Sequence, residues 1–136
     1  MVLDTCIIRN PEFMRWLKRY YTGKLAVSAV TYMEYRRQVL NSGKDASIIE
    51  DLLKEWRIEV IPFDKRSAVV ASSLMFERPN VCETCGNLDW CDTMIYSSIG
   101  NPPTLLVTEN VSDYPTEGDR VYTPDMVVQV FGKQSS

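Results

Sequence analysis

The chain has 136 residues, a formal net charge of −3 at pH 7 and no histidine. Its 45% hydrophobic and 24% charged residues are typical of a globular protein. The missing histidine excludes Ser-His-Asp and Cys-His nucleophile systems and histidine-ligated zinc. No apolar run approaches the roughly 18 residues of a membrane span, and no signal peptide precedes the first apolar run, so we expect a cytoplasmic protein without membrane contact. Catalysis would have to use carboxylates, cysteine, lysine, tyrosine or a metal held by oxygen ligands.

Apolar positions alternate along the chain between the strand period and the helix period. The predicted strands cover residues 1–3, 25–27, 58–63, 104–108 and 121–122, with a last apolar strand or helical turn at 127–131. The predicted helices cover residues 11–21, 29–40, 45–56, 65–74 and 92–99, with Ser28, Asp45 and Asp64 placed to cap three of them. Strands alternating with helices favour βαβ units. We therefore predict a single-domain, three-layer α/β/α fold over residues 1–136, with a mainly parallel sheet of four to five strands and a frayed tail at 132–136.

Acidic and amide side chains fall where such a sheet places an active site. Asp4 follows the first predicted strand, and Asn110 and Asp113 follow the fourth. The carboxyl ends of parallel strands border the crevice in which open α/β sheets bind ligands. Glu34 and Asp92 lie in the first halves of two helices that this sheet would bring to the same edge. Each residue alone has an ordinary local interpretation, as a turn or helix cap for the aspartates and a solvated position for the glutamate.

The acids are informative as a set, because carboxylates forced together repel one another unless protons or cations neutralise them. Mg²⁺ usually takes one or two carboxylates together with waters and substrate phosphate. The set therefore predicts a Mg²⁺ or Mn²⁺ site and phosphate-ester chemistry. Asp89, one turn before Asp92, competes with it both as helix cap and as metal ligand.

Four segments resemble, in order, the successive motifs of PIN-domain ribonucleases, and most of all those of the VapC-type toxins of prokaryotic toxin–antitoxin pairs. The segments are VLDT at 2–5, VSAVT at 27–31 leading to Glu34, DTMI at 92–95 and LLVTEN at 105–110. The resemblance implies an endoribonuclease that binds Mg²⁺ or Mn²⁺ through Asp4, Glu34 and Asp92. Asn110 stands where the family has its fourth acid, and Asp113 in the same loop is the alternative for that role. The resemblance also implies an RNA substrate, a cognate antitoxin protein and a homodimer.

Two alternatives stay open. Because Asn110 replaces an acid, the chain could instead be a catalytically weak RNA-binding or protein-binding module on the same fold. A housekeeping RNA-processing nuclease is the alternative to a toxin.

Three cysteines, Cys82, Cys85 and Cys91, lie between the predicted helices at 65–74 and 92–99 or at their border. Their spacing resembles part of a zinc knuckle, but structural zinc needs four ligands and Cys6 is the one cysteine left. A disulfide such as Cys85–Cys91 is the second interpretation, and it conflicts with the rarity of cytosolic disulfides. Thiols without a metal or a disulfide are the third.

Basic side chains form two helical groups, Arg15, Lys18 and Arg19 on the first and Arg36 and Arg37 on the second. A solvated helix face is the ordinary interpretation. Both helices are predicted to start near the acidic edge, so contact with RNA phosphates is the functional alternative.

The predicted helices at 11–21 and 45–56 carry more apolar and aromatic side chains than one face of a sheet needs. They are Phe13, Trp16, Leu17, Tyr20, Ile49, Leu53 and Trp56. An apolar excess on a small domain marks a partner surface. We therefore predict a homodimer that buries at least about 1,000 Å² in total.

Overall fold

A computed structural model describes residues 1–77, 90–99, 104–111, 114 and 120–132. For Trp90 it describes the backbone alone. The strands are β1 (Val2–Leu3), β2 (Leu25–Ser28), β3 (Ile58–Ile61), β4 (Leu106–Val107) and β5 (Val121–Tyr122). The helices are α1 (Thr5–Ile8), α2 (Pro11–Tyr20), α3 (Ala29–Asn41), α4 (Ser47–Trp56), α5 (Lys65–Glu77), α6 (Trp90–Ser98) and α7 (Pro124–Gly132). Within these ranges, none of the helices has the length and apolar character needed to cross a bilayer.

The five strands form one parallel sheet in the order β3-β2-β1-β4-β5. β1 is the central strand, and its Val2 is in register with Ala26 of β2 on one side and Leu106 of β4 on the other. Because all the pairings are parallel, every strand ends at the same edge of the sheet. We call this edge the carboxyl edge and the opposite one the amino edge. The predicted α/β fold with a mainly parallel sheet is confirmed.

Two core clusters lie on the two faces of this sheet. Val2 and Leu106 belong to one cluster and their neighbours Leu3 and Val107 to the other, because successive side chains of a strand point to opposite faces. All four side chains are buried, as expected for parallel strands covered on both sides. The cluster that contains Leu3 also includes Ile7, Phe13, Leu17, Val27, Ile58 and Val127, and the other includes Val30, Ile95, Ile99, Tyr114 and Val121.

Helix starts follow the capping residues closely. Ser28 Oγ accepts the N–H of Thr31 at 3.0 Å, and Asp64 Oδ1 accepts the N–H of Ser67 at 2.9 Å, so both predicted caps are confirmed. Asp45 does accept an N–H, that of Ser47, at 2.9 Å, but the residue that precedes α4 in the cap position is Ala46. The prediction of Asp45 as the N-cap is therefore wrong by one residue.

Other boundaries differ from the predicted ones for identifiable reasons. The short helix α1 was not predicted, since four residues are too few to show a periodicity. β3 ends at Ile61 rather than at residue 63 because Pro62 has no N–H to give to the strand ladder. Asp92 was predicted to begin its helix, but it is the third residue of α6.

The end of the chain is helical where a strand or a helical turn was predicted. α7 begins at Pro124, a favoured residue for the first helical position, and runs through Gly132. Gly132 therefore belongs to a helix and not to the predicted tail. Residues 133–136 lie outside the described part of the chain.

The predicted apolar excess on the helices at 11–21 and 45–56 is not found. Phe13, Leu17 and Ile49 are buried, and Trp16, Leu53 and Trp56 pack against the cluster that contains Leu3. Of the seven side chains, Tyr20 alone is largely exposed, at 46%. The homodimer stays a prediction, but these side chains are used inside the protein and do not argue for it.

Candidate active site

Asp4 is held at the carboxyl edge by its own N–H and by its carboxylate. Its N–H donates to the carbonyl oxygen of Val107 at 3.0 Å, which extends the pairing of β1 with β4. Its carboxylate then caps α1, with Oδ1 accepting the N–H of Thr5 at 2.7 Å. The residue is only 8% exposed. A carboxylate therefore stands, nearly buried, between a central strand and a helix.

Two hydroxyl groups donate to the second oxygen of this carboxylate. Thr108 Oγ1 lies 2.8 Å and the Tyr114 hydroxyl 2.9 Å from Asp4 Oδ2. A carboxylate oxygen has about two lone-pair sites, so these hydroxyls occupy Oδ2, whereas Oδ1 keeps one site beside the Thr5 bond. Asp4 is thus held firmly and still has an oxygen that can bind a further group.

The Tyr114 hydroxyl joins Asp4 to Asp92. The tyrosine is 4% exposed and packs in the cluster that contains Val30 and Ile95. Burial, then the charges of Asp4 and Asp92, and then its hydrogen bonds with both carboxylates raise the pKa of Tyr114 far above its ordinary value. The phenol consequently stays protonated and remains a hydrogen-bond donor. The structure therefore brings the end of β1 and the first turn of α6 together at one buried hydroxyl.

Glu34 lies on a helix that packs against α6, but it does not complete a ligand group. It is half-buried on α3, one turn after Val30, and α3 packs against α6. Within the described ranges, no three Asp, Glu, Cys or His side chains converge closely enough to hold a metal ion, so Glu34 does not form such a group with Asp4 and Asp92. Asp89, a predicted ligand, lies outside the described residues.

Of the two candidate ligands after β4, the structure describes Asn110 alone. The N–H of Asn110 donates to Thr108 Oγ1 at 3.1 Å, while its side chain is exposed. Asn110 is therefore tied through its backbone to the hydroxyl that contacts Asp4. Asp113 lies outside the described residues.

The groups around Asp4 fit a hard divalent cation held largely through water. Asp4 and Asp92 supply oxygen ligands, and Mg²⁺ commonly binds one or two carboxylates and keeps several waters. Among the described residues, the buried Thr5 Oγ1 has no hydrogen-bond partner. Buried hydroxyls of this kind are ordinarily satisfied by ordered water. The donor set, all oxygen, matches magnesium or manganese rather than a metal that prefers sulfur.

Cys6 stands beside the carboxylate without the properties of a nucleophile. Its Sγ lies 3.8 Å from Asp4 Oδ2 and accepts the N–H of Glu109 at 3.5 Å. Burial raises the pKa of the Cys6 thiol, the charge of Asp4 adds to this, and the Glu109 N–H opposes it. The thiol form is therefore favoured, whereas nucleophilic attack needs the thiolate.

The other cysteines belong to α6 or lie beyond the described ranges. Cys91 is half-buried in α6 and packs against the cluster that contains Val2. Cys82 and Cys85, predicted as zinc or disulfide partners, lie outside the described residues.

The structure separates the predicted basic residues from one another. Arg15, Lys18 and Arg19 are exposed on α2, and Lys18 lines a cavity of about 500 Å³ with Leu25, where β2 begins. This places Lys18 at the amino edge, opposite Asp4. Arg36 and Arg37 are exposed on α3, directly after the turn that contains Glu34.

Sequence reasoning missed Thr108 and Tyr114. Thr108 directly follows β4, so a hydroxyl at the carboxyl end of a strand was visible in the sequence, although the pairing of β4 with β1 was not. Tyr114 gave no comparable signal, because it belongs to no strand or helix and its role depends on a contact with a residue 110 positions away.

The PIN-domain family model matches residues 1–99, which is more than half of the chain, and the chain belongs to this family. PIN domains are generally nucleases. No curated protein sequence matches the chain. Among solved structures, the chain is similar to one from a toxin-antitoxin complex from Klebsiella pneumoniae, with a TM-score of 0.69 and 18% sequence identity over 90% of this chain and 96% of that one. At this identity the likeness shows the shared fold alone.

Proposed function

We propose that this protein is a metal-dependent endoribonuclease that hydrolyses phosphodiester bonds in RNA. The observation that carries the proposal is the convergence of Asp4 and Asp92 on one buried hydroxyl at the carboxyl edge. Two carboxylates this close repel one another unless a proton or a cation neutralises them. Membership of a family whose members are generally nucleases supports a divalent cation in that role.

The side chains assigned to the metal are oxygen ligands throughout. We assign Asp4 and Asp92 as the principal ligands, and propose Asn110, Asp113 and Asp89 as further ones. Glu34 does not converge with the two aspartates, so we propose that it contacts the cation through a bound water. Bound Mg²⁺ or Mn²⁺ would lower the pKa of a nearby water and neutralise charge on the scissile phosphate. The overall reaction adds one water across an ester bond: the water oxygen bonds to phosphorus, the P–O bond to the leaving sugar oxygen breaks, and one proton of the water passes to that oxygen.

The test is cleavage of single-stranded RNA by the purified full chain in Mn²⁺, with and without a chelator. Asp4→Asn and Asp92→Asn keep the side-chain shape and remove the charge. Loss of a residue that hydrogen-bonds to a metal ligand typically costs 10–100-fold in activity. Because Asp4 and Asp92 are assigned as ligands themselves, each variant is expected to lower activity by about 100-fold or more. Asp51→Asn on α4 is the matched control, since Asp51 is an exposed acid and its variant should cleave like the unmodified protein. Wild-type cleavage by both folded site variants would rule out the mechanism and indicate a contaminating nuclease.

A binding module with little catalysis is the second candidate, and the amide of Asn110 at the fourth acidic position of the family pattern favours it. Asn110→Asp adds a carboxylate to the loop that is tied to Thr108. A strong gain of RNA cleavage would identify an impaired nuclease. If calorimetry detects no heat of binding at millimolar Mn²⁺ in either form, the binding module is supported.

RNA contacts are proposed for the exposed cations of α2 and α3, namely Arg15, Lys18, Arg19, Arg36 and Arg37. The position of Arg36 and Arg37 on the helix of Glu34 favours them over Lys18 at the amino edge. Loss of a phosphate contact reduces the salt dependence of RNA binding. Arg36→Gln should therefore flatten the plot of affinity against salt more than Lys18→Gln does.

A toxin role, with a cognate antitoxin as partner, is supported by the fold likeness to a chain of a toxin-antitoxin complex. Induction in the host should then arrest growth, Asp4→Asn should not, and the product of a small neighbouring gene should relieve the arrest. Harmless induction of the active form would favour a housekeeping RNA-processing nuclease. We also propose a homodimer, and light scattering at micromolar concentration that returned 15.6 kDa would contradict it.

A further inference from the structure

We infer that Tyr114 is the positioning residue of the metal site, and that its hydroxyl holds Asp4 and Asp92 in the arrangement that binds the cation. The inference rests on the proposed function, since it names a residue that acts through the two ligands. It goes beyond that function because Tyr114 is neither an acid nor a metal ligand.

The position of the hydroxyl is set by the packing of its ring. Tyr114 is 4% exposed and belongs to the cluster that contains Val2, Val30 and Ile95. Val2 lies on β1, two residues before Asp4. Ile95 lies on α6, one turn after Asp92. The ring therefore contacts the cluster formed by both supporting elements, so movement of either element relative to the other would shift the hydroxyl.

The hydrogen bonds of the hydroxyl join the two acids. Its oxygen lies 2.9 Å from Asp4 Oδ2, and it also forms a hydrogen bond with the Asp92 carboxylate. A phenol has a single proton to donate. Both carboxylates therefore share one donor, which reduces their repulsion before any cation binds.

The same contact determines which oxygen of Asp4 is available. Thr108 and Tyr114 together occupy Oδ2, and Oδ1 keeps one lone-pair site. Hydrogen bonds of this kind orient metal-binding carboxylates, and their loss typically costs 10–100-fold in metal affinity or activity. A hydroxyl that only competed with the cation for Oδ2 would have the opposite effect, because its removal would tighten binding.

The experiment measures Mn²⁺ affinity of the full chain by calorimetry for the unmodified protein, Tyr114→Phe and Tyr122→Phe. The side chain of Tyr122 on β5 packs against the other core cluster, so its variant makes the same chemical change on the opposite face of the sheet from Tyr114. Tyr114→Phe is expected to weaken Mn²⁺ binding by about 10–100-fold, and Tyr122→Phe to leave it unchanged. RNA cleavage by Tyr114→Phe should recover at saturating Mn²⁺ with an unchanged KM for RNA, which a general loss of structure would not produce.

A second variant, Thr108→Val, separates the two hydroxyls. Thr108 donates to Asp4, whereas Tyr114 joins Asp4 to Asp92, so Thr108→Val should weaken Mn²⁺ binding less than Tyr114→Phe. Equal or tighter binding by Tyr114→Phe, an equal loss in Tyr122→Phe, or a larger loss in Thr108→Val would each overturn the inference. If the unmodified protein binds no Mn²⁺ and cleaves no RNA, the proposed function fails. If it does both and Tyr114→Phe behaves identically, the inference alone fails.

Discussion

The carboxyl edge and the amino edge of the sheet hold their polar side chains in different ways. At the carboxyl edge, Asp4 is nearly buried and accepts hydrogen bonds from the hydroxyls of Thr108 at 2.8 Å and Tyr114 at 2.9 Å. At the amino edge, Lys18 and Glu55 are 62% and 64% exposed and their charged atoms are 3.6 Å apart. The first edge holds a carboxylate in one position through several short bonds, and the second has a long ion pair in solvent.

The difference follows from the cost of leaving each group unpaired. A buried donor or acceptor that loses its partner pays a full desolvation penalty, whereas an exposed one is rehydrated. Exposed ion pairs are further weakened by salt and by side-chain entropy. Polar contacts at the carboxyl edge should therefore contribute more to stability than those at the amino edge. The predictions below would break or sharpen this comparison.

The largest effect on stability is expected from Thr108→Val in the metal-free protein. The change removes a fully buried hydroxyl that donates to the Asp4 carboxylate and accepts the N–H of Asn110. Hydrogen bonds to charged groups are worth about 1.5–3 kcal/mol, so the free energy of unfolding should fall by about that amount. Urea denaturation monitored by circular dichroism measures it.

Thr108→Ser is the control for this change, because serine keeps the hydroxyl and loses one methyl group. It should retain most of the stability that valine loses. A serine variant as unstable as the valine variant would attribute the loss to packing rather than to the hydrogen bond.

A smaller, pH-dependent effect is expected from Asp64→Ala. Asp64 follows β3 at the carboxyl edge but is exposed, and it caps α5. Hydrogen bonds from the N–H and then the hydroxyl of Ser67 lower the pKa of this carboxyl below its ordinary value. Because the folded pKa is the lower one, the stability from this cap is present above the unfolded pKa and is lost as pH falls through the folded pKa.

Thermal melts at neutral pH and below about pH 3 test this sign. The melting temperature of Asp64→Ala should lie below that of the unmodified protein at neutral pH, and the two should approach each other in acid. A difference that grew in acid would contradict the assigned capping.

The smallest effect is expected from Lys18→Met at the amino edge. The lysine pairs with Glu55 and lies 5.1 Å above the ring of Trp56, and both contacts are at the surface. Methionine keeps an apolar stem for the ring, so the free energy of unfolding should change by no more than about 0.5 kcal/mol. Urea denaturation that showed a loss as large as that of Thr108→Val would remove the contrast between the two edges.

Much of the architecture could be predicted from local patterns. Ser28 and Asp64 identified the starts of two helices because a cap is a contact between residues three positions apart. The placement of Asp4 after the first strand followed from a short apolar run that ends in a carboxylate. The helix α1 escaped prediction because it is a single turn that depends on the same aspartate as its cap.

The sequence by itself determined the alternation of strands and helices and the position of Asp4 at a strand end, since both depend on neighbouring residues and on short periods. The tertiary structure decided the rest. The parallel pairing of β1 with β4 brings Thr108 to Asp4, and the packing of the Tyr114 ring brings its hydroxyl to both Asp4 and Asp92. The tertiary structure also places Lys18 at the opposite edge of the sheet. Contacts between residues about a hundred positions apart are selected by the burial of the whole core, and no local pattern in the chain encodes them.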